Sequence, residues 1–240
     1  MIPACNEEHF VGDVVAGARI SVPGARIVVV DDASTDRTAA RACAAGAEVL
    51  SLDAHTGYSG ALRAGYRIAL EGGATAVLQL DADGQHRPSD LPRMLEALGG
   101  ADLVLGSRFL GPSPGYAIPP LRRAGMAACR WMATTVGGLS VSDPTSGLRA
   151  LTPRVARHIA DHGFPSGLTE TSLLIHLHRA GVRIREIPVS MQASQGHSMH
   201  AGLAGGAHLM RISWAVLGLA TGGSQRTIAA EPVLAPRNPV

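Results

Sequence analysis

Lysine is absent: all 21 basic residues of this 240-residue chain are arginine. That removes Schiff-base chemistry and the lysine of a phosphate-binding P-loop. No Gly-x-Gly-x-x-Gly pattern occurs either, so a nucleotide would not be held by a dinucleotide-type glycine loop. An excess of one charge is also missing. The formal net charge is +2, which gives no sign of a nucleic-acid partner. Cysteine is scarce: Cys5, Cys43 and Cys129 are odd in number, far apart and without a Cys-x-x-Cys pair, as expected of a reduced, cytosolic chain. No secretory leader is visible after Met1-Ile2-Pro3-Ala4. No apolar run reaches the ~20 residues that cross a bilayer; the longest, Leu209 to Ala220, is interrupted by Arg211.

What is there is a core and a rhythm. A hydrophobic content of 46% is ample for one sizeable core. Helical patterns alternate with short apolar strands, and glycines that end helices precede strands at Gly46, Gly73 and Gly181. The pattern predicts strands at 1–4, 26–31, 47–51, 75–81, 102–106 and 183–190. It predicts helices at 7–19, 35–45, 60–71, 89–98, 121–136, 153–161 and 169–179, with a short segment from Thr145 to Leu151. Strands separated by single helices imply an α/β fold with a mostly parallel central sheet and helices on both faces. One domain to residue 199 is expected, then an apolar helix over 200–221 and a disordered Pro-rich tail from 222.

The chemistry sits at strand ends. Val77-Leu78-Gln79-Leu80-Asp81-Ala82-Asp83-Gly84-Gln85-His86 is an apolar strand that ends in oxygen ligands at alternate positions, so Asp81, Asp83 and the Gln85 amide leave the sheet on one side. Two carboxylates and an amide with no nearby cysteine suit Mg²⁺ or Mn²⁺, which keep open positions for substrate phosphates. The competing reading, a plain polar turn, loses ground because a second strand, Arg26 to Asp31, also runs into acids: Asp31, Asp32, then Ala33-Ser34-Thr35-Asp36. There Ser34 can cap the next helix and Asp36 can favour its positive end. Ligands of open α/β sheets bind outside the carboxyl ends of the strands. A nucleotide held by metal and acids follows. His86 reads as a loop residue rather than a ligand.

Five segments occur in a particular order: Ile2-Pro3-Ala4-Cys5-Asn6-Glu7-Glu8, Val30 to Asp36, Asp81 to His86, Gly106-Ser107-Arg108-Phe109, and Asp143-Pro144-Thr145-Ser146-Gly147-Leu148-Arg149. Over roughly residues 1–200 this resembles glycosyltransferase family two, closest to its dolichol-phosphate mannosyltransferase-like branch, whose members make polyprenyl-phosphate sugars. The resemblance implies a single Rossmann-like, glycosyltransferase A type domain and a metal-dependent inverting transfer from a UDP- or GDP-linked sugar to polyprenyl phosphate. It implies that Pro3 and Glu7 line the nucleoside, that Asp32 hydrogen-bonds base or ribose, and that Asp81 lies near ribose and metal. Asp83 and Gln85 would hold the metal on the diphosphate. Arg108, with Arg122 or Arg123, would grip donor or acceptor phosphate, which the guanidinium fork suits. The segment Met191 to Met199 resembles a phosphate-contacting stretch, placing Ser198 on the acceptor side, although Ser194 and Gln195 stand where the family has Arg. Cys5 stands where the family usually has Tyr.

Glu170 keeps two readings, a helix N-terminal charge or the base that a hydroxyl acceptor needs and a phosphate acceptor does not. Transfer to a carbohydrate or small-molecule hydroxyl is therefore the alternative activity. A receiver-like module is the non-enzyme alternative, suggested by Asp31-Asp32 and opposed by the length and the missing lysine. The segment His200 to Ala220 likewise has two readings: a core helix, or a surface helix whose Trp214 and Arg211 give peripheral contact with the inner face of a membrane.

Overall fold

The computed structural model describes residues 1–111, 118–162 and 170–192. Three parallel strands come first: β1 (Ile2–Ala4), β2 (Val28–Asp31) and β3 (Glu48–Ser51), connected by helices α1 (Val11–Ser21) and α2 (Thr38–Ala44) and followed by α3 (Gly57–Glu71). Then come β4 (Val77–Gln79), α4 (Leu91–Leu98), β5 (Leu103–Ser107), α5 (Pro120–Thr135), β6 (Arg149–Leu151), α6 (Pro153–His162), α7 (Glu170–Arg179) and β7 (Ile184–Pro188). These later strands lie in the order β4-β6-β5-β7. Among the described strands only β6 runs antiparallel to its neighbours; β5 and β7 pair in parallel. The two groups meet where the Met1 nitrogen donates to the Leu78 carbonyl at 2.8 Å and Leu80 N–H donates to the Met1 carbonyl at 3.2 Å. One residue thus bonds both neighbours of its opposite number, the pattern of a parallel pair.

Alternate strand residues feed two apolar layers, as a sheet covered on both faces requires. Val29 and Val104 pack with Val15, Leu91 and Met94 on the α1 and α4 side. Leu103 and Leu105 pack with Leu62, Ile159 and Leu173 on the α3, α6 and α7 side, while Val28 and Val30 meet Ala61 of α3. The α/β fold with a mostly parallel sheet is the one the alternating pattern implies.

Helix starts are where the local reading shifts. The helix expected from residue 7 begins at Val11, because residues 5–10 form a loop in which Asn6 has φ of 57°. Ser34 does not cap α2, which has no side-chain cap and starts at Thr38. Its hydroxyl instead accepts the Asn6 N–H at 2.9 Å. Gly46, Gly73 and Gly181 do end helices, with φ of 90°, 74° and 80°. Ser198, the expected helix over 200–221 and the expected tail from 222 lie outside the described residues. Among the described residues no helix is long and apolar enough to cross a membrane.

Candidate active site

Because β1, β2 and β4 are parallel and in register, their carboxyl ends share one edge, where Glu7 follows β1, Asp31 and Asp32 end β2, and Asp81 and Asp83 follow β4. The first two loops are locked together. Asn6 Oδ1 accepts Thr35 N–H at 2.9 Å, Glu7 N–H donates to Thr38 Oγ1 at 2.7 Å, and Glu8 N–H donates to Asp36 Oδ2 at 3.1 Å. Asparagine tolerates the left-handed backbone this lock demands at position 6. The result sets Glu7 against the β4 acids. Burial, then the charges of Asp83, Asp36 and Asp81, push its carboxyl up to about 7.

Asp81 and Asp83 are both held above the usual carboxylate range, by burial first and for Asp83 by the Asp81 charge next. Gln85 N–H donates to Asp83 Oδ1 at 3.0 Å and its side-chain amide donates to Oδ2 at 2.7 Å. Gln85 thus turns its nitrogen to Asp83 and orients it. Asp81 and Asp83 offer the oxygen donors that a hard divalent cation takes, and their charges together with burial raise the nearby Glu7. Among the described residues no three His, Cys, Asp or Glu side chains are arranged to hold a metal by themselves. Two carboxylates, Asp81 and Asp83, suit a cation that completes its shell with substrate oxygens.

Behind Asp81 lies a buried polar network. Tyr58 O–H donates to Asp81 Oδ1 at 2.9 Å. Gln79 donates its amide to the Tyr58 oxygen and to the Gly147 carbonyl, both at 2.9 Å, and accepts from Tyr66. Gly147 packs so closely on the Asp81 carboxylate that a β-carbon there would overlap it. Arg149, only 1% exposed, donates from Nε to the Ser146 carbonyl at 3.0 Å and from Nη2 to Glu170 Oε2 at 3.3 Å. Burial outweighs that cation and carries Glu170 up to about 7, with Asp81 adding to the rise.

A second clamp holds the loop before β6. Arg108 Nε and Nη2 each reach an oxygen of fully buried Asp143 at 2.6 Å, and Nη2 also donates to Thr145 Oγ1 at 2.8 Å. Asp143 is held below the usual range against its burial, chiefly by those bonds. Glu186 of β7 accepts the N–H groups of Ser142 and Asp143 at 2.6 and 2.8 Å.

The remaining site residues sort themselves by contact. Asp32 accepts Thr56 N–H at 2.7 Å and its hydroxyl at 2.9 Å, and lies 2.9 Å from His55 Nδ1, so it anchors the start of α3. Pro3 is buried within β1, opposite Val30. Arg122, half-buried in the first turn of α5, acts on both Asp81 and Asp83, whereas Arg123 is exposed. His86 is buried, and burial brings its imidazole down to about 4.

Sequence alone assigns no role to Tyr58, Tyr66, Gln79, Asp143 or Arg149. A signal exists for three of them. Gln79 is the polar residue two positions before Asp81 in an otherwise apolar strand, and Tyr58 and Tyr66 lie eight apart on one helix face. Arg149 and Asp143 fall within one of the five ordered segments but carry contacts that only tertiary structure reveals.

A family model described as Glycosyl transferase family 2 matches residues 1–155. The chain belongs to that family, is a glycosyltransferase, and has the glycosyltransferase A type fold, which retires the receiver-like reading. It is 33% identical over 228 residues to an undecaprenyl-phosphate mannosyltransferase of Micrococcus luteus, covering 89% of this chain and 92% of the relative. It is 31% identical over 208 residues to a dolichyl-phosphate hexose transferase of Haloferax volcanii, covering 84% and 86%. Among solved structures, glucosyl-3-phosphoglycerate synthase of Mycobacterium tuberculosis, in complex with Mn²⁺, UDP-glucose and phosphoglyceric acid, has a TM-score of 0.67 at 22% identity over 90% of this chain and 78% of that one. That likeness concerns the fold.

Proposed function

We propose that this glycosyltransferase moves a sugar from a nucleoside-diphosphate sugar to polyprenyl phosphate, with inversion, using Mg²⁺ or Mn²⁺ at Asp81 and Asp83. The carrying observation is the acid trio Glu7, Asp81 and Asp83 at the sheet edge, each with a raised proton affinity and with Arg122 acting on the two aspartates. The names of the relatives support the acceptor, and the Mn²⁺ and UDP-glucose held by the solved synthase support the donor and metal.

A bound cation would offset the charge that develops on the departing diphosphate. Asp81 and Asp83 would hold it, Asp83 kept in orientation by Gln85 and Asp81 by Tyr58. Pro3, Glu7 and Asp32 would border the nucleoside, Asp32 also by fixing the start of α3. Arg122 would meet phosphate oxygens directly. Arg108 would act through the Asp143 loop that it clamps, and Arg123 and Ser198 would serve the acceptor end. A phosphate oxygen is already anionic and attacks the anomeric carbon without a base.

A second reading, a hydroxyl acceptor, has one observation in its favour: a Glu170 carboxyl pushed up to about 7 is tuned to take a proton near neutral pH. Mass-spectrometric product analysis of a UDP- and GDP-sugar panel against polyprenyl phosphate and free sugars tests both readings. Sugar on the lipid phosphate, retained by Glu170→Gln, supports the first. Sugar only on hydroxyls, abolished by Glu170→Gln, replaces it with the second.

A further inference from the structure

Three imidazoles gather where α6 and α7 share a core layer. Val155, Ala156 and Ile159 of α6 and Leu173, Leu174 and Leu177 of α7 are buried in one apolar cluster, which holds the two helices in place. His158 of α6 and His176 of α7, both half-buried, bring their Nε2 atoms to 3.4 Å, with ring centroids 5.6 Å apart. The nitrogens are much nearer than the rings, so the side chains face each other nitrogen to nitrogen. That separation exceeds the roughly 2.7–3.2 Å of an ordinary N–H hydrogen bond. It matches the distance between two nitrogens that ligate one tetrahedral ion at ~2.0–2.1 Å, which is about 3.3–3.4 Å. His162, one turn beyond His158, stacks on it with centroids 4.6 Å apart and has Nδ1 3.1 Å from the His158 carbonyl, so it braces that ring. Burial first, then His162, lowers the proton affinity of both His158 and His176.

We infer that His158 and His176 form a two-imidazole site for a transition-metal ion of the Zn²⁺ or Co²⁺ class, which clips α6 to α7. Neutral imidazole suits these ions, whereas Mg²⁺ and Mn²⁺ favour oxygen. Among the described residues no third His, Cys, Asp or Glu completes the set, so water fills the other positions and the ion can exchange. Asp161 favours a cation there while Arg154 and Arg179 oppose it, which keeps the affinity modest. The pair is separate from the acidic sheet edge: His176 lies six residues, about 9 Å of helix, beyond Glu170. The inference does not depend on the donor or acceptor proposed above. By tying α7 to α6, the ion would steady the helix that presents Glu170 to Arg149.

The full-length Asp83→Ala protein, which lacks a carboxylate of the acidic edge, is titrated with Zn²⁺ and, separately, with Mg²⁺. Calorimetry finds one Zn²⁺ per chain at micromolar concentration, and Tm rises by roughly 3–6 °C with Zn²⁺ and not with Mg²⁺. His158→Gln or His176→Gln, each added to that protein, weakens Zn²⁺ binding about ten-fold or more and leaves the metal-free Tm close to its parent's. Imidazole ¹⁵N spectra of the Asp83→Ala protein read the site with both histidines in place: Zn²⁺ shifts the Nε2 signals of His158 and His176 among the ten histidines. Zn²⁺ binding that survives both glutamine variants, or that shifts other histidines instead, places the ion elsewhere and overturns the inference. An equal effect of Mg²⁺ overturns it as well. Absence of Zn²⁺ binding overturns it in favour of a proton shared between the two rings.

Discussion

Arg149→Met is the most revealing perturbation the site offers. The wild-type guanidinium is buried, pairs with Glu170 at 3.3 Å and draws down Asp81. Methionine has a similar length and no charge, so Glu170 loses its ion-pair partner and Asp81 loses one of the cations that draw it down. Removing one partner of a buried pair costs about 3–5 kcal/mol, which in a chain of this size lowers Tm by on the order of 10 °C. The sign with pH separates charge from packing. Glu170 already titrates in the fold at about 7, above its ordinary value, so its contribution to stability is complete at acidic pH and lost as pH rises through 7. Without Arg149 the value climbs further and that loss deepens. Circular-dichroism melts of both proteins from pH 5 to pH 8.5 should therefore show a small gap up to about pH 7 that widens above it. A gap of constant size across that range would refute the argument and assign Arg149 a space-filling role.

Gly147→Ala presses a methyl group into the Asp81 carboxylate; with about 1–3 kcal/mol of overpacking, calorimetry should find Mn²⁺-dependent nucleotide binding weakened roughly ten-fold or more, and unchanged affinity would count against Asp81 as a ligand. Glu7→Gln should flatten the rise of that affinity between pH 6 and 8, because the wild-type carboxyl loses its proton near 7; an identical slope in both proteins would exclude Glu7 from the site's charge. Asp83→Ala should abolish metal-dependent binding with little change in Tm, since it relieves like-charge repulsion. Arg108→Ala should cost about 3–5 kcal/mol in urea unfolding by stranding Asp143, and a neutral result would show that the clamp does not hold the loop.

The sheet and the acidic edge were legible because both are written locally. A run such as Val28-Val29-Val30 ahead of two aspartates signals a buried strand and its chemical end together, and a period of two places Asp81 with Asp83. The glycine stops at 46, 73 and 181 were legible for the same reason. What could not be read is what joins distant segments. Ser34 looks like a cap by spacing, yet the hydroxyl serves Asn6, 28 positions earlier. Gln79 looks like one polar residue in a strand, yet it spans to Gly147, 68 positions later. Arg108 reads as an open phosphate grip until Asp143 appears beside it. Pairing of that kind depends on the antiparallel β6, whose three residues carry too little pattern to announce a direction.

That inserted strand also dictates an order of events as the chain is made. β6 lies between β4 and β5 although it is synthesised after both, so residues 77–79 and 103–105 cannot close on each other and must wait for 149–151. Until then each presents an unpaired edge, the feature that invites association with other chains. The arriving strand brings Gly147 and Arg149 with it, the residues that buttress Asp81. A ribosome-bound chain is therefore expected to bury its first three strands early, keep an aggregation-prone gap beside them, and gain a competent metal-binding edge only when the gap is filled.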